Sequence, residues 1–456
     1  MAGLNDILGS ARSALIAQQL AMETTSNNVA NASTPGYSRQ RVDLQESPSI
    51  RTNYGLLGTG VLANHIGRVR ERFIDQQVWG AGDTSGKAST EQTILSNVEA
   101  AVNEPSDAGL SETMSAFFNA FQGLSAQPDE SAARDNVVQQ GQLLAQSFHN
   151  IQANISQLRG DLVNDVKSKL GNINQITSDI SDLNVTIANA SAEGMDPSAL
   201  EDQRDLKIDT LSSLVKVNVS DSPDGSVMIS IGGTVVASKA GAVALSASIS
   251  AGQIQIFAND SKQPTAVTSG ELGGDLECYN TTLPDYLTKL DATAKALIDQ
   301  TNTVHAAGYG IDNPPSTGIN FFTGSSATDI NVNSVVVNDT NKIAASGDGS
   351  TGDNKVALAM ANLQNKPVLD GGATSIPQYY NTLVSTIGTA INTAQNTSDN
   401  QQLVLTQLQN QRSSVSGVSI DEEMTNLIKF QQAYAAASKI VSVVDQMFQS
   451  VIQMVQ

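Results

Sequence analysis

The chain has 456 residues, of which 25 are Lys or Arg and 45 are Asp or Glu, so its formal net charge is −20. That charge argues against nucleic acid and anionic membrane surfaces as partners, because both repel an acidic protein. The single cysteine, Cys278, excludes a disulfide within the chain, and no apolar run is long enough to predict membrane insertion. Asn5, Asp6 and Arg12 interrupt the stretch where a signal peptide would be apolar, which predicts a cytoplasmic protein or one exported without a cleaved leader.

The first predicted element is an N-terminal helix with few charged residues. Apolar residues recur along it at seven-residue spacing, at Leu8, Leu15, Met22 and Val29. This spacing predicts a single apolar face that packs against another helix.

This helix is predicted to end in the segment NNVANASTPGYSRQRV, residues 27–42. Asparagine side chains can bond the open carbonyls at a helix end, and a residue before proline is disfavoured in a helix. Pro35 and Gly36 suit the two central positions of a type II turn. The predicted turn motif comprises Asn28, Asn31, Thr34, Pro35, Gly36 and Tyr37. Taken locally, an ordinary helix end followed by a turn explains all of these residues.

The spacing of the apolar residues changes within the middle of the chain. Residues 89–214 have helical periodicity, with a capping box predicted at Ser89 and Gln92 and a helix start predicted at Asp196–Pro197. From Val215 to about Thr268 the apolar period changes to two, which predicts short strands joined by tight turns.

Helical periodicity of the apolar residues returns towards the C-terminus. A helix is predicted over residues 283–308, followed by a Gly-, Asn- and Ser-rich region with strand-like pieces such as INVNSVVV. A further helical stretch is predicted from about Gln378 to Ser414.

The last predicted helix carries the clearest pattern in the sequence. Two offset seven-residue series run along it, Leu427, Tyr434, Val441, Phe448 and Val455 in one and Phe430, Ala437, Val444 and Val451 in the other. Together they form a coiled-coil a/d pattern over four heptads, and Ser419 with Glu422 predicts a capping box at its start. Because a lone terminal helix buries too little apolar surface to offset its ordering entropy, we expect both chain ends to pack against each other and against further copies. An antiparallel helix pair confined to one monomer is the alternative.

These elements predict a mainly α fold with a β-rich inserted domain. Paired terminal helices would form an inner domain from residues 1–65 and 416–456. Residues 66–214 and 271–415 would form a helical-bundle domain, with an irregular or β segment near 310–365. Residues 215–270 would form a small β domain, farthest from the termini.

No set of residues predicts catalysis, a cofactor site or a metal site. His65, His149 and His305 are far apart in the sequence and lack metal-ligand spacing, and Cys278 has no nearby histidine. The acidic and basic residues of LEDQRD, Asp202 to Asp205 among them, are interpreted as surface ion pairs on a helix, each contributing little.

Several segments nevertheless resemble a known family. NNVANASTPGYSRQRV is similar to the segment after the first helix of bacterial flagellar rod, hook and hook-associated proteins, and residues 416–448 are similar to their C-terminal helix. LEDQRDLKIDTLSSLVKVNV and LPDYLTKLDATAKALIDQTNTVHAAGYG narrow the resemblance to the hook-associated protein 1 family, which forms the hook–filament junction.

The resemblance implies a structural role in the bacterial flagellum rather than an enzyme. It implies export by the flagellar type III system after a cytoplasmic stage, and extracellular polymerisation into a helical tube of identical copies. The hook protein, the second junction protein and the filament would be its neighbours. The residues expected at the assembly interface are Leu8, Leu15, Met22, Val29, Leu427, Phe430, Tyr434, Val441, Val444, Phe448, Val451 and Val455. An export chaperone is expected to bind the C-terminal helix, with Leu427, Phe430, Tyr434 and Phe448 as its hypothetical contacts.

Other functions share part of this pattern. A flagellar rod or hook subunit would share the opening motif but is not expected to carry the LEDQRD region, and the Thr-Pro-Gly-Tyr segment is not the pattern of flagellin. A secreted coiled-coil adhesin or effector could show the same heptads. A glycan or cell-wall hydrolase would need a carboxylate pair that the sequence does not reveal.

Overall fold

The computed structural model describes residues 3–52, 55–106, 109–259 and 261–455. Their fold is mainly helical with small antiparallel sheets, as the sequence predicts. The helices are α1 (Leu4–Ala30), α2 (Arg72–Val102), α3 (Leu110–Ala126), α4 (Ser131–Ala192), α5 (Ser198–Leu214), α6 (Gly270–Glu277), α7 (Leu283–Ala306), α8 (Ser334–Asn338), α9 (Lys355–Asn362), α10 (Ile376–Ser416) and α11 (Ile420–Val455). A π-helical turn, Cys278–Thr282, joins α6 to α7.

The strands are short and pair locally. They are β1 (Gln40–Glu46), β2 (Ile50–Thr52), β3 (Gly55–Leu57), β4 (Val61–Arg68), β5 (Asn218–Asp221), β6 (Val227–Ile231), β7 (Thr234–Ser238), β8 (Gly241–Ala242), β9 (Leu245–Ser250), β10 (Gln253–Ala258), β11 (Phe322–Thr323), β12 (Asn331–Val332), β13 (Pro367–Leu369) and β14 (Thr374–Ser375). β5 to β8 form one four-stranded sheet in sequential order, and the other described strands form two-stranded pairs.

The two ends of the chain form one structural unit. α1 packs against α11 and against the antiparallel hairpin of β1 and β4, which the sequence analysis did not predict. The main hydrophobic core lies elsewhere, since its members among the described residues begin at Trp79 and end at Ala394. The terminal unit is therefore held mainly by helix pairing and polar contacts.

The helical body surrounds a large apolar core. Four phenylalanines, Phe117, Phe121, Phe321 and Phe322, lie at its centre, with contacting rings 4.9–5.6 Å apart between centroids. The capping box predicted at Ser89 and Gln92 is wrong, because α2 runs without interruption from residue 72 to residue 102. The buried face of α2 continues upstream through Ile74 and Val78, so the apolar period does not begin at residue 89.

The β-rich segment packs on the long helix α4. Its turns lie at Asp224–Gly225 and Gly232–Gly233, where the glycines have positive φ angles, as those dipeptides predict. The end of β5 contacts the start of α2, since Arg72 Nη2 lies 2.6 Å from Asp221 Oδ1. The three-domain division stays an interpretation.

The strand predicted for INVNSVVV is confirmed at Asn331–Val332, which form β12, but not at the three valines that follow. Residues 335–337 belong to the short helix α8 and not to a strand. The Asn333 side chain accepts a hydrogen bond from Val335 N and so caps this helix. The cap outweighs the strand preference of three β-branched residues.

A recurrent feature, which we call asparagine clamps, fastens strands and loops to helices. In each clamp the amide of a helical asparagine bonds both the N–H and the C=O of one residue elsewhere in the chain. The clamps are Asn28 with Gln40, Asn174 with Leu245, Asn184 with Val227, Asn280 with Ile254 and Asn302 with Phe322, with N···O distances of 2.7–3.0 Å. A primary amide fits this role because it donates and accepts side by side, as a neighbouring strand would.

We expect Asn184→Ala to lower the free energy of unfolding by about 2–4 kcal/mol. Asn184 is fully buried, so its removal leaves the N–H and C=O of Val227 without the clamp in a buried site. Urea unfolding followed by circular dichroism measures the change. Asn392→Ala, at an exposed position on α10, is the matched control and should change stability by less than about 0.5 kcal/mol. Equal effects at both sites would contradict the role of the clamp.

His305 should make the helical body sensitive to mild acid. Its Nδ1 lies 2.7 Å from the Ile319 carbonyl, and its Nε2 accepts a hydrogen bond from Ala344 N. Burial lowers the pKa of His305 to about 4, so the unfolded chain takes up a proton first as the pH falls below about 6.5. Stability that is present at neutral pH is therefore lost on acidification, by about 2 kcal/mol between pH 7.5 and pH 5.

Urea unfolding at these two pH values tests this expectation. A glutamine at position 305 cannot titrate, so the His305→Gln variant should lose about 2 kcal/mol less unfolding free energy than wild type on acidification. His65→Gln, at an exposed histidine paired with Asp43, should keep the wild-type difference. An unchanged pH difference in His305→Gln would contradict the assignment.

Candidate assembly site

The terminal helices meet through small buried side chains. On α1 these include Ala11, Ala17 and Ala21, and on α11 they include Ala437 and Val444. Small residues at the contact allow two helix backbones to lie close together. The helices are antiparallel, because Asn28 near the end of α1 donates a hydrogen bond to Glu423 near the start of α11.

The residues expected at the assembly interface lie on this helix pair with unequal burial. Val444 is buried, whereas Tyr434 and Val451 are exposed by 37% and 36%. Val455 is the last residue of α11, and its side chain lies outside the described residues. The others are half-buried, namely Leu8, Leu15, Met22, Val29, Leu427, Phe430, Val441 and Phe448. The pair within one chain therefore covers these side chains incompletely.

A second apolar face of α11 is not covered within the chain. Ile440, Met447 and Met454 are spaced seven residues apart, so they lie on one side of α11, and they are 46%, 51% and 79% exposed. Val443 is also exposed near this side, and Ile420, Met424, Ile428 and Ile452 are exposed elsewhere around the helix. This is a large apolar surface for an isolated chain, and such surfaces mark interaction sites. Ile440, Met447 and Met454 lie off the two heptad series, so a second neighbour can pack on this side of α11.

A compact set of hydrogen bonds fixes the turn motif at the end of α1. Tyr37 N donates to Thr34 O at 3.2 Å, and Gly36 has φ +80°, which an L side chain rarely adopts. Asn31 closes the end of the helix by donating from Nδ2 to Asn27 O at 3.0 Å. A side chain on Gly36 would also approach Leu206 of α5 to 3.3 Å. The turn thus lies tightly against the helical body.

Asn28 connects the turn with both terminal helices. Its Oδ1 accepts hydrogen bonds from Tyr37 Oη at 2.8 Å and from Gln40 N at 2.9 Å. Its Nδ2 donates to Gln40 O at 2.9 Å and to Glu423 Oε2 at 3.0 Å. Burial, together with Asp202 and Glu423, raises the pKa of Tyr37 to about 12 and keeps it a hydrogen-bond donor. Every polar atom of this amide is therefore used.

A buried cluster of charges joins the terminal unit to the helical body. This ionic joint consists of Arg68, Arg70, Asp75, Asp202 and Asp205. Arg68 Nη1 lies 2.8 Å from Asp202 Oδ1 and 3.0 Å from Asp205 Oδ2. Arg70 forms a bidentate pair with Asp75 at 2.8 and 3.0 Å.

The ionic joint corrects the interpretation of LEDQRD as a solvated helix face. Asp205 has no exposed surface, Arg204 is 3% exposed and Asp202 is 6% exposed. Burial acts to raise the pKa of Asp205, but Arg70, Arg68 and Arg204 outweigh it and hold the pKa below its usual value. The partners Arg68, at the end of β4, and Arg70, just after it, lie more than 130 residues earlier, so local spacing could not reveal them.

The start of α11 is fastened to the same region. Arg39 donates from its backbone N to Ser416 O at 2.8 Å, and its guanidinium contacts Glu423 at 2.7 Å and Glu422 at 3.1 Å. On α10, Arg412 lies 2.9 Å from Asp209 of α5. Charged contacts therefore hold the junction between the terminal helices and the helical body.

Neither a metal site nor a membrane span is found in the described parts of the chain. In those residues no group of His, Cys, Asp and Glu side chains is arranged to hold a metal ion. No described helix combines the length and the apolar character needed to cross a bilayer.

Relatives match nearly the whole chain, and three family models match parts of it. The model for the flagellar hook-associated protein FlgK helical domain matches residues 95–322. Models for the flagellar basal body rod FlgEFG protein C-terminal region and for the flagella basal body rod protein match residues 409–454 and 8–37. Flagellar hook-associated protein 1 of Bacillus subtilis (strain 168) is 33% identical over 98% of this chain and 97% of its own length. The Escherichia coli (strain K12) protein of that name is 26% identical over 98% of this chain and 100% of its own.

A solved structure supports the fold. The flagellar hook junction protein FlgK from Burkholderia pseudomallei aligns with a TM-score of 0.65 at 17% identity, covering 75% of this chain and 100% of that chain. Fold, terminal unit and comparisons together define a structural component of the bacterial flagellum and not an enzyme. The chain belongs to the flagellar hook-associated protein 1 family.

Proposed function

We propose that this chain joins the flagellar hook to the filament and polymerises through its terminal helices. The observation that carries the proposal is the uncovered apolar face of α11, which includes Ile440, Met447 and Met454. Burial of an aliphatic side chain stabilises an interface by roughly 1.5–3 kcal/mol, so a few such residues per copy can drive assembly. The ionic joint would hold this face at a fixed angle to the helical body.

Deletion of the gene followed by electron microscopy tests the junction role. Cells should carry hooks without filaments and lose filament protein to the medium. Re-expression of the full chain should restore filaments. Normal filaments in the deletion strain would overturn the proposal, whereas cells lacking hooks as well would indicate a rod or hook subunit.

Export through the flagellar type III system, from the cytoplasm to the hook–filament junction outside the cell, is part of the same proposal. We propose that α11 binds an export chaperone before assembly, with Leu427, Phe430, Tyr434 and Phe448 as contacts. Their half-buried or exposed positions support this, since modest opening of the helix pair would present them. A chain lacking residues 417–456 should lose the chaperone in a pull-down. Retention of the chaperone by the truncated chain would contradict this assignment.

A further inference from the structure

Methionine supplies two of the three side chains that define the uncovered apolar face of α11. Met447 and Met454 are 51% and 79% exposed, and Ile440 is the third member. Methionine carries a thioether that peroxide oxidises to a sulfoxide, and this change turns a flexible apolar side chain into a polar one. The face therefore carries sulfur that an oxidant can reach while the chain is unassembled.

The side chains around these two sulfur atoms are poor partners for a sulfoxide oxygen, which can only accept a hydrogen bond. The positions one helical turn away from them are three valines and a serine, namely Val443, Val444, Ser450 and Val451. The Ser450 hydroxyl already donates to Gln446 O at 3.0 Å, so none of these four described positions has a side-chain donor to spare. A sulfoxide covered by a neighbouring molecule would therefore be buried without a donor from its own helix, which opposes burial.

The other sulfur atoms of the chain provide internal comparisons. Met114 and Met360 have no exposed surface. Cys278 is 1% exposed, and burial raises its pKa to about 12, so it stays a thiol and lacks the reactive thiolate. Met195, between α4 and α5, and Met228 of β6 are 55% and 43% exposed and should be oxidised without altering the face of α11.

We propose that Met447 and Met454 form an oxidation site of the unassembled chain, and that their sulfoxides block its incorporation into the flagellum. In each reaction hydrogen peroxide transfers one oxygen atom to the thioether sulfur. The O–O bond breaks, an S=O bond forms, the sulfur loses two electrons and the remainder of the peroxide leaves as water. A neighbour that covers the face shields both sulfur atoms, so the site is open only before assembly. The inference rests on the proposed function, since it requires this face to be buried in the assembly.

The distribution of sulfoxide between incorporated and free chains tests the site. Purified full-length chain is partly oxidised with hydrogen peroxide, freed of peroxide and offered to the ends of isolated hooks. Peptide mass spectrometry should find at least about tenfold less sulfoxide at positions 447 and 454 in the incorporated chains than in the free chains. Sulfoxide at Met228 should be equal in the two fractions. Equal sulfoxide at positions 447 and 454 in both fractions would overturn the inference.

Leucine variants assign the effect to these two residues. Met447→Leu/Met454→Leu keeps the apolar volume without sulfur, so peroxide should not reduce its incorporation. The matched control Met195→Leu/Met228→Leu should lose incorporation after peroxide as wild type does. The leucine variant of α11 retains Met22 and Met424, so sensitivity equal to that of wild type would assign the effect elsewhere and overturn the inference.

Repair and folding complete the test. Methionine sulfoxide reductases A and B, with a dithiol as reductant, return the sulfoxide oxygen as water and should restore incorporation of oxidised wild type. Thermal unfolding of the oxidised and untreated monomers should be alike, because the face is already exposed in the monomer. Persistent loss after reduction, or a lower unfolding temperature of the oxidised monomer, would overturn the inference. Failure of untreated wild type to join hooks would count against the proposed function instead.

Discussion

Arg70→Met is expected to lower the free energy of unfolding by about 3–5 kcal/mol. Its bidentate bonds to Asp75 disappear, and Asp75 and Asp205 remain as carboxylates that are 1% and 0% exposed. Removing one partner of a buried ion pair is costly, because the other charge stays buried without full compensation. Urea unfolding at neutral pH measures the loss.

Two further variants separate the buried charge from other causes. Arg41→Met removes an arginine whose side chain is 73% exposed and pairs with Asp43, so its effect should stay below about 1 kcal/mol. Adding Asp75→Leu to Arg70→Met should recover part of the lost stability, since one uncompensated carboxylate is removed. A loss below about 1 kcal/mol in Arg70→Met, or no recovery in the double variant, would contradict a buried ionic joint.

Ile440→Glu/Met447→Glu is expected to abolish incorporation into the flagellum and leave the monomer folded. The two residues are seven apart, so they lie on one face of α11, and both are about half exposed. The free energy of unfolding of the monomer should change by less than about 1 kcal/mol, because these side chains are already about half exposed within the chain. Motility, and the amount of chain in isolated flagella, report assembly.

The matched control places the same two charges elsewhere on the helix. Ala435→Glu/Ser442→Glu has the same spacing, and both positions are exposed, on a face roughly opposite. This variant should retain most of its assembly. Equal loss in the two variants would show that added charge alone impairs incorporation. Normal motility in Ile440→Glu/Met447→Glu would remove the apolar face from the proposed interface.

Long helices could be predicted from the sequence because their signals are local. The stretch predicted from 378 to 414 is α10, residues 376–416, and the helix start at Asp196–Pro197 is confirmed, since Asp196 Oδ1 accepts a hydrogen bond from Ser198 N. Both depend on periodicity and on capping residues within a few positions. The overall mainly α class followed from these elements.

The features of the candidate site that were missed depend on residues far apart in the sequence. The hairpin of β1 and β4 carries charged and exposed residues and depends on α1 for one covered face. In the asparagine clamps, partners such as Asn174 and Leu245 are 71 residues apart. The ionic joint joins segments more than 130 residues apart. No local pattern distinguishes such a residue from an ordinary polar residue on a helix surface.

The contact between Asn28 and Glu423 fixes how far the two terminal helices overlap. Leu4 begins α1 24 residues before Asn28, so at 1.5 Å per residue α1 reaches about 36 Å back along α11, to near residue 447. The last two turns of α11 therefore extend beyond the start of α1. In these turns Ile452 and Met454 are exposed by 59% and 79%. The start of α1 and the end of α11 lie at this same pole, so a bulky group attached near either one would crowd the projecting tip.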